Sequence, residues 1–222
     1  MAVKANHDIS SGLDTAFINS AINSNLAYRP EFVSNDYTQG KKVSVAIERE
    51  LRHCDAFYIS VAFITEGGLA PLKQVLAELR DKGIPGKILT TSYLTFTEPK
   101  ALKTLANLSN VEVRVYDSTD EGASGFHTKG YIFKEEEIYR FIVGSSNMTA
   151  SAFSVNKEWN TKLVSTSDGE LLKQMMTEFN ALWNSEHTLA VKDFIEDYEV
   201  RYKLIKEQKK NAAKEQRVDL QA

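Results

Sequence analysis

His127 and Lys129, separated by one residue, are the side chains of this sequence that could most readily act together in a chemical step. The polar run Gly144-Ser145-Ser146-Asn147 follows them, and Glu158 comes soon after. An imidazole can attack phosphorus, while an ammonium group and hydroxyl or amide donors hold the negative charge on the non-bridging oxygens. The set therefore predicts attack on a phosphodiester, in a scheme that requires no metal ion.

Two apolar segments indicate how these residues are brought together. Residues 128–133 and 138–143 have the composition of strands, and the polar run 134–137 between them predicts a turn. Side chains two apart on a strand point the same way, so His127 and Lys129 are expected on one face. The glycine that opens the later polar run permits close backbone approach beside them.

Glu158 stands at the start of another predicted strand, 159–165. A carboxylate there is expected to accept the second ring proton of His127, which leaves the other ring nitrogen free to attack. Taken singly, these residues also have ordinary interpretations, the histidine as a surface or core residue and the Gly-Ser-Ser-Asn run as a turn. Their order along consecutive predicted strands favours a phosphate site.

In this order of residues the chain resembles the phospholipase D superfamily. The signature of that family is His-x-Lys followed by Gly-Ser-x-Asn and, in the nuclease branch, by a glutamate. By this resemblance His127 is the nucleophile and Lys129 is catalytic and binds the phosphate. Ser145 and Asn147 also bind the phosphate, and Glu158 orients the histidine.

One position departs from the family pattern. Where the family usually has an aspartate after the motif lysine, this chain has Lys134, followed by Glu135. That acid is structural in the nuclease branch, so its exchange bears more on activity than on family membership. The resemblance spans residues 35–183 and is greatest to the phospholipase-D-like domain at the front of bacterial helicase or restriction-type proteins.

The resemblance implies a two-step reaction through a phosphohistidine, in which one histidine attacks and a second protonates the leaving oxygen. This sequence has a single His-x-Lys motif. A homodimer is therefore implied, with His127 of both copies at one phosphate. The implied substrate is DNA, with RNA as an alternative, and no cofactor is implied. A helicase or restriction-type module, fused or associated, is the implied further partner.

Two other functions stay open. The site could bind a phosphate backbone without cutting it, or it could hydrolyse a lipid phosphodiester. Lipid enzymes of the family normally carry two motif copies in one longer chain, which favours the nuclease interpretation here. Binding without turnover would identify the first alternative, and cleavage of vesicle lipids but not of oligonucleotides would identify the second.

Composition limits the remaining possibilities. The 222 residues are 42% hydrophobic and 26% charged, which suits one sizeable buried core. With a net charge of −3, the chain lacks the basic body of a protein that coats nucleic acid, so its attraction for phosphate must be local. The single cysteine, Cys54, is expected to be a buried thiol. No segment has the pattern of a signal peptide or a membrane span, so a cytoplasmic location is expected.

The alternation of helical and strand patterns predicts an α/β fold with a mixed, largely parallel sheet sandwiched between helices. Strands are predicted at 57–63, 87–91 and 111–116, and helices at 42–53, 69–82, 99–108 and 150–153. Three parts are expected, namely an N-terminal arm or marginal helix at 1–38, a phospholipase D-like phosphodiesterase domain at 39–190 and a C-terminal helical extension or linker at 191–222.

The sequence also supports predictions for two further helical segments. In the helix predicted at 170–183, the apolar side chains of one face are expected to lie in the core; they are Leu171, Met175, Phe179 and Leu182. In residues 201–217 the basic side chains outnumber the acidic ones. That segment could touch a nucleic-acid backbone or simply be a solvated helix.

Overall fold

The computed structural model describes residues 29–219, and it describes side-chain surroundings through residue 212. The predicted arm or marginal helix at 1–38 therefore lies largely outside the described residues. Its last part contains a short strand, Glu31–Val33, that pairs with the edge of the sheet. The predicted domain boundaries stay predictions.

The described chain alternates between strands and helices as far as residue 116, and four further strands follow. The strands are β1 (Glu31–Val33), β2 (Ala56–Val61), β3 (Gly86–Thr91), β4 (Val111–Tyr116), β5 (Lys129–Glu135), β6 (Ile138–Gly144), β7 (Asn160–Thr166) and β8 (Thr188–Ala190). The α-helices are α1 (Val43–His53), α2 (Glu66–Leu69), α3 (Lys73–Asp81), α4 (Pro99–Ala106), α5 (Ala150–Ser154), α6 (Glu170–Trp183) and α7 (Val191–Asp219).

The strands form one eight-stranded sheet in the order β1-β7-β6-β5-β2-β3-β4-β8. The sheet is mixed, as predicted, but it is not largely parallel. Among the described strands, only β2–β3 and β3–β4 pair in parallel, because these strands are joined by helical crossovers. The remaining pairs are antiparallel, and two of them, β5–β6 and β6–β7, join strands that follow one another in the sequence.

Helices cover both faces of the sheet, which confirms the predicted sandwich. Alternate residues of β5 show the two faces, since Tyr131 and Phe133 belong to the core cluster that includes residues of α1, α2, α3 and α4, whereas Ile132 belongs to the cluster that includes α6. The first turns of α7 join the larger core through Phe194 and Tyr198. Because of this alternation, successive side chains along β5 point to opposite faces of the sheet.

The β5–β6 turn is shorter than the polar run 134–137 predicts. Glu135 still pairs with Ile138, so the turn consists of Glu136 and Glu137. Glu136 adopts a φ of 52°, and its amide donates to the Asp55 carboxylate at 2.7 Å. Lys134 therefore belongs to β5, because the strand pairing outweighs the polar character of the segment.

Helix α6 confirms most of its predicted core face and corrects one position. Phe179 is buried, but Leu171, predicted to be buried, is 50% exposed, and Leu172 is buried instead. Cys54 is buried as predicted, and burial raises the pKa of its thiol to about 12. Within the part of the chain that the structure describes, no helix is long and apolar enough to cross a membrane.

Candidate active site

The predicted site residues lie together at one end of the central strands, where β2 ends and β5 begins. Lys129 opens β5 opposite Val61, the last residue of β2, and His127 lies in the coil just before it. Gly144 ends β6 opposite Asn160, the first residue of β7. Because the start of β5 pairs with the end of β6, the His-x-Lys segment and the Gly-Ser-Ser-Asn loop lie at the same end of the strands.

His127 and Lys129 lie on the same side, as the spacing predicts, and their side chains are in direct contact. The Lys129 Nζ lies 2.9 Å from His127 Nδ1 and 3.3 Å from Nε2, and it also donates to the His127 carbonyl oxygen at 2.9 Å. A lysine ammonium can only donate, so a hydrogen bond to the ring requires an unprotonated ring nitrogen. A neutral imidazole is the form that a nucleophilic histidine needs.

Phe63 connects the histidine to the Gly-Ser-Ser-Asn loop. Its ring packs edge-on against the His127 ring, with centroids 5.9 Å apart. Its amide donates to Asn147 Oδ1 at 3.2 Å, and its carbonyl oxygen accepts from the Met148 amide at 3.0 Å. Sequence reasoning missed this residue, because an aromatic side chain that ends a buried strand pattern has the same appearance as any core residue.

The Gly-Ser-Ser-Asn loop lies against the chain that leads into β7. A Cβ on Gly144 would lie 2.2 Å from the Trp159 carbonyl oxygen, which confirms the expected close backbone approach. The Ser145 amide donates to that same oxygen at 3.1 Å. Ser146 is fully buried and shares two hydrogen bonds with the Asn160 side chain, so it holds the loop in place.

Glu158 lies beside Ser145 rather than beside the histidine. The Ser145 hydroxyl donates to the Glu158 carboxylate and accepts from the Trp159 amide at 3.0 Å. Within residues 29–219, no hydrogen bond joins Glu158 to His127, so the expected contact is not formed in a single chain. The physical reason is the β6–β7 register, which sets the residues after Gly144 directly opposite those before Asn160. The catalytic role of Glu158 stays a prediction.

Burial shapes the electrostatics of the site. Desolvation lowers the pKa of Lys129 from its ordinary value, and the negative charge of Glu158 partly opposes this. Behind the site, burial raises the pKa of Tyr131 well above its usual range, and its hydroxyl donates to the Ser146 carbonyl oxygen at 3.0 Å. Lys129 is thus a partly desolvated cation, whose attraction for an anionic oxygen is stronger than that of a lysine in bulk water.

Among the described residues, no group of three or more His, Cys, Asp or Glu side chains is placed to hold a metal ion. A sequence profile of the family described as "Cardiolipin synthase, PLD-like domain" matches residues 53–183, which is more than half of the chain. The chain belongs to the phospholipase D superfamily.

Three solved structures share the phospholipase D fold with it. Nuc, a phospholipase D family member from Salmonella typhimurium, has a TM-score of 0.55 and 16% identity, over 73% of this chain and 98% of its own. NucT from Helicobacter pylori has a TM-score of 0.55 and 15% identity, over 73% and 99%. Phosphatidylserine synthase from Haemophilus influenzae has a TM-score of 0.54 and 15% identity, over 83% and 46%. No curated protein is significantly similar in sequence.

Lys134, which stands where the phospholipase D pattern has an acid, lies far from the reacting groups. It is in register with Ala56 and Tyr139 near the hairpin end of β5. At ~3.3 Å per strand residue, it is about 16 Å along the strand from Lys129. The presence of Lys134 instead of an acid therefore removes no group from the candidate active site.

Two clefts flank this phospholipase D site. A groove of about 620 Å³ is lined by Phe63, Phe96, Asn147 and Glu158, among others. On the opposite face of the sheet, a mostly apolar cleft of about 390 Å³ lies under α6 and borders Lys129. The first is lined by both polar and apolar side chains, and the lining of the second is mainly apolar.

Proposed function

We propose that this chain is a metal-independent phosphodiesterase that cleaves nucleic acid, DNA in the first instance, through a phosphohistidine at a homodimeric site. The observation that carries the proposal is the contact between the Lys129 ammonium and a ring nitrogen of His127 at 2.9 Å. It places an imidazole beside a cation at the end of the strands where the Gly-Ser-Ser-Asn loop also lies.

The first step is an in-line attack at phosphorus. An unprotonated ring nitrogen of His127 forms the P–N bond while the bond to the leaving oxygen breaks. The Lys129 ammonium and the Asn147 side-chain amide group stabilise the charge on the non-bridging oxygens. The Ser145 hydroxyl joins them by turning away from Glu158, to which it donates in the free chain. His127 of a second copy gives its proton to the leaving oxygen.

The second step reverses these roles. The second histidine, now neutral, takes a proton from water as the water oxygen attacks phosphorus and the P–N bond breaks. The first histidine is released as a neutral imidazole, and the product carries a terminal phosphate. Both histidines thus return to their starting states.

An exposed apolar surface beside the site supports the proposal that a second copy of the chain binds there. Trp159 is 75% exposed and Phe32 is 64% exposed, and their rings pack edge-on with centroids 5.9 Å apart. Leu171, at the mouth of the cleft under α6, is also half-exposed. A two-fold dimer can bury one such surface against its own copy, and Trp159 directly follows Glu158 in the site.

The choice of nucleic acid is supported by the Nuc and NucT folds, which this chain matches over nearly their whole length. The open groove beside Asn147 gives room for an extended strand. RNA cleavage is the alternative outcome within the same class. The association with a helicase or restriction-type module and the cytoplasmic location rest on the sequence and on the family resemblance, and both stay proposals.

A lipid phosphodiesterase is the second candidate. The apolar cleft beside Lys129 is a place where an acyl chain would be shielded from water. The family profile described as cardiolipin synthase and the fold of phosphatidylserine synthase also support it. A lipid enzyme would cleave phospholipid vesicles and leave oligonucleotides intact.

The test is a cleavage assay in EDTA. The chain is incubated with end-labelled single-stranded DNA, duplex DNA and RNA, and with phosphatidylglycerol vesicles. We expect cleavage of an oligonucleotide that falls at least about 10³-fold in His127→Ala. His53→Ala, at an exposed histidine in α1, is the matched control and should keep full activity. Oligonucleotide binding with no cleavage by any variant would replace the proposal with a non-catalytic binding domain.

A further inference from the structure

The segment between β3 and α4 exposes apolar side chains beside the site. Tyr93 is 41% exposed, Leu94 is 53% exposed and Phe96 is 47% exposed. Phe96 packs edge-on against Phe63 with ring centroids 5.0 Å apart, and Phe63 packs in turn against His127. We refer to Phe63, Tyr93 and Phe96 as the aromatic ledge. Two of its three rings, Phe96 and Phe63, thus form a chain of contacts from the surface to His127.

The ledge and the site share one groove. Phe63 and Phe96 line the same cleft of about 620 Å³ as Asn147 and Glu158. A strand whose phosphate lies against the Asn147 side therefore has its neighbouring nucleotide within reach of the rings.

The backbone of the ledge is held in an unfavourable conformation. Leu94 and Thr95 have φ values of 52° and 53°, a region that side chains other than glycine rarely adopt. The segment is fixed at its end, where Thr97 is fully buried and its carbonyl oxygen accepts from the Tyr198 hydroxyl at 2.7 Å. Strained backbone that the surrounding structure enforces is concentrated at functional sites.

Helix α7 brings positive charge to the ledge. The Lys209 ammonium lies 4.9 Å from the Phe96 ring centre and donates to the Leu94 carbonyl oxygen at 3.4 Å. Arg201 anchors the helix by donating to Thr119 at 2.5 Å. Phe96 remains about half-exposed with Lys209 over it, so part of its surface is free for another planar group. In a chain of net charge −3, this places one ammonium group directly beside an exposed aromatic ring.

We propose that the aromatic ledge is a subsite for an unpaired nucleobase, which stacks on Phe96 while the adjoining phosphate meets Lys209. This rests on the proposed nuclease function and adds a preference for single-stranded nucleic acid. Every base has a π-face that can stack on an aromatic ring, so the subsite tolerates any sequence. In a duplex the bases already stack on each other, and their faces are not accessible to Phe96.

The test uses the full chain carrying His127→Ala, which binds an oligonucleotide without cutting it. Binding of a labelled single strand and of the matching duplex is measured by fluorescence anisotropy. Phe96→Ala should weaken single-strand binding by roughly 5- to 100-fold, since stacking of one base is worth about 1–3 kcal/mol at 1.4 kcal/mol per factor of ten. Duplex binding should change by less than about 3-fold, and Phe96→Trp should retain single-strand binding.

Two further readouts separate stacking from a structural role. A 2-aminopurine base in the strand should be quenched on binding, and Phe96→Ala should remove the quenching. Lys209→Ala should lower the salt dependence of single-strand binding by about 0.7 in log–log slope, the value for one phosphate contact. Tyr37→Ala, at a side chain 89% exposed in another loop, and Lys192→Ala, at the start of α7, are the matched controls and should change neither.

The outcomes separate the two proposals. If the wild-type chain cleaves DNA and a folded Phe96→Ala variant binds single strands normally, the subsite is overturned and the nuclease function stands. Equal weakening of single-strand and duplex binding would also overturn it, and would assign Lys209 and Phe96 to anchoring α7. If no oligonucleotide is bound or cleaved, both proposals fail together.

Discussion

The Ser145 hydroxyl donates a hydrogen bond to the Glu158 carboxylate, so the acid expected to orient the histidine instead holds the Gly-Ser-Ser-Asn loop. Glu158 is nearly buried, and its charge acts on Lys129 through space. Within one chain, therefore, Glu158 contributes to the site through the loop and through the lysine. Each of these two effects can be measured.

The Ser145–Glu158 hydrogen bond predicts non-additive kinetics. Ser145→Ala and Glu158→Gln should each lower kcat/KM, and the double variant should lose less than the two single losses combined. The expected coupling is about 0.5–3 kcal/mol, because both substitutions remove the same interaction. Ser165→Ala, near the other end of β7, combined with Glu158→Gln is the control and should be additive. Additive losses for Ser145 would show that the two side chains act separately.

The lowered pKa of Lys129 predicts the pH above which activity is lost, the alkaline limit. Desolvation lowers its pKa, and the reaction needs the charged ammonium, so activity should fall as pH rises through a value below that of an ordinary lysine. Lys129→Arg should move this limit to higher pH, because guanidinium stays charged. Glu158→Gln removes a charge that raises the Lys129 pKa, so it should move the limit to lower pH. The measurement is kcat/KM against pH, and an unchanged alkaline limit in Lys129→Arg would assign it to another group.

Gly144 predicts a steric effect at the loop. A Cβ there would lie 2.2 Å from the Trp159 carbonyl oxygen and 2.6 Å from the Asn160 Cα, so Gly144→Ala must displace the loop or β7. We expect a loss of about 1–3 kcal/mol in the free energy of unfolding, together with a large loss of activity. Gly125→Ala, two residues before His127, meets nothing within 4 Å and is the matched control. Urea unfolding and the cleavage assay give the two readouts, and equal behaviour of both variants would refute the packing argument.

The homodimeric site predicts the result of mixing subunits. When equal amounts of wild type and His127→Ala exchange freely, about half of the wild-type subunits pair with a mutant partner. If one phosphate needs both histidines, activity should fall to about half that of the wild type before mixing. Independent sites would leave it unchanged.

The exposed apolar surface gives a second test of the dimer. Trp159→Glu places a charge at a side chain that is 75% exposed, and it should shift the protein toward monomers and reduce activity. Tyr37→Glu, at a side chain 89% exposed elsewhere, should leave both unchanged. Sedimentation velocity and the cleavage assay provide the readouts. A fully active monomer would exclude the shared site.

The sequence by itself determined the local parts of this site. The i, i+2 spacing of His127 and Lys129 was enough to predict that they lie on one side, because side-chain direction alternates along an extended chain. Gly144 likewise revealed a close backbone approach that any side chain would block. The motifs also determined the family, since their order does not depend on how the strands pair.

Only the tertiary structure decided which groups meet across strands. The partner of Glu158 follows from the β6–β7 register, and strand register depends on packing that no local pattern records. Leu171 and Leu172 lie about 100° apart around α6, and how the helix packs on the sheet decides which of them is buried. Phe96 and Lys209 are distant in sequence, and their contact exists only because α7 packs across the loop after β3.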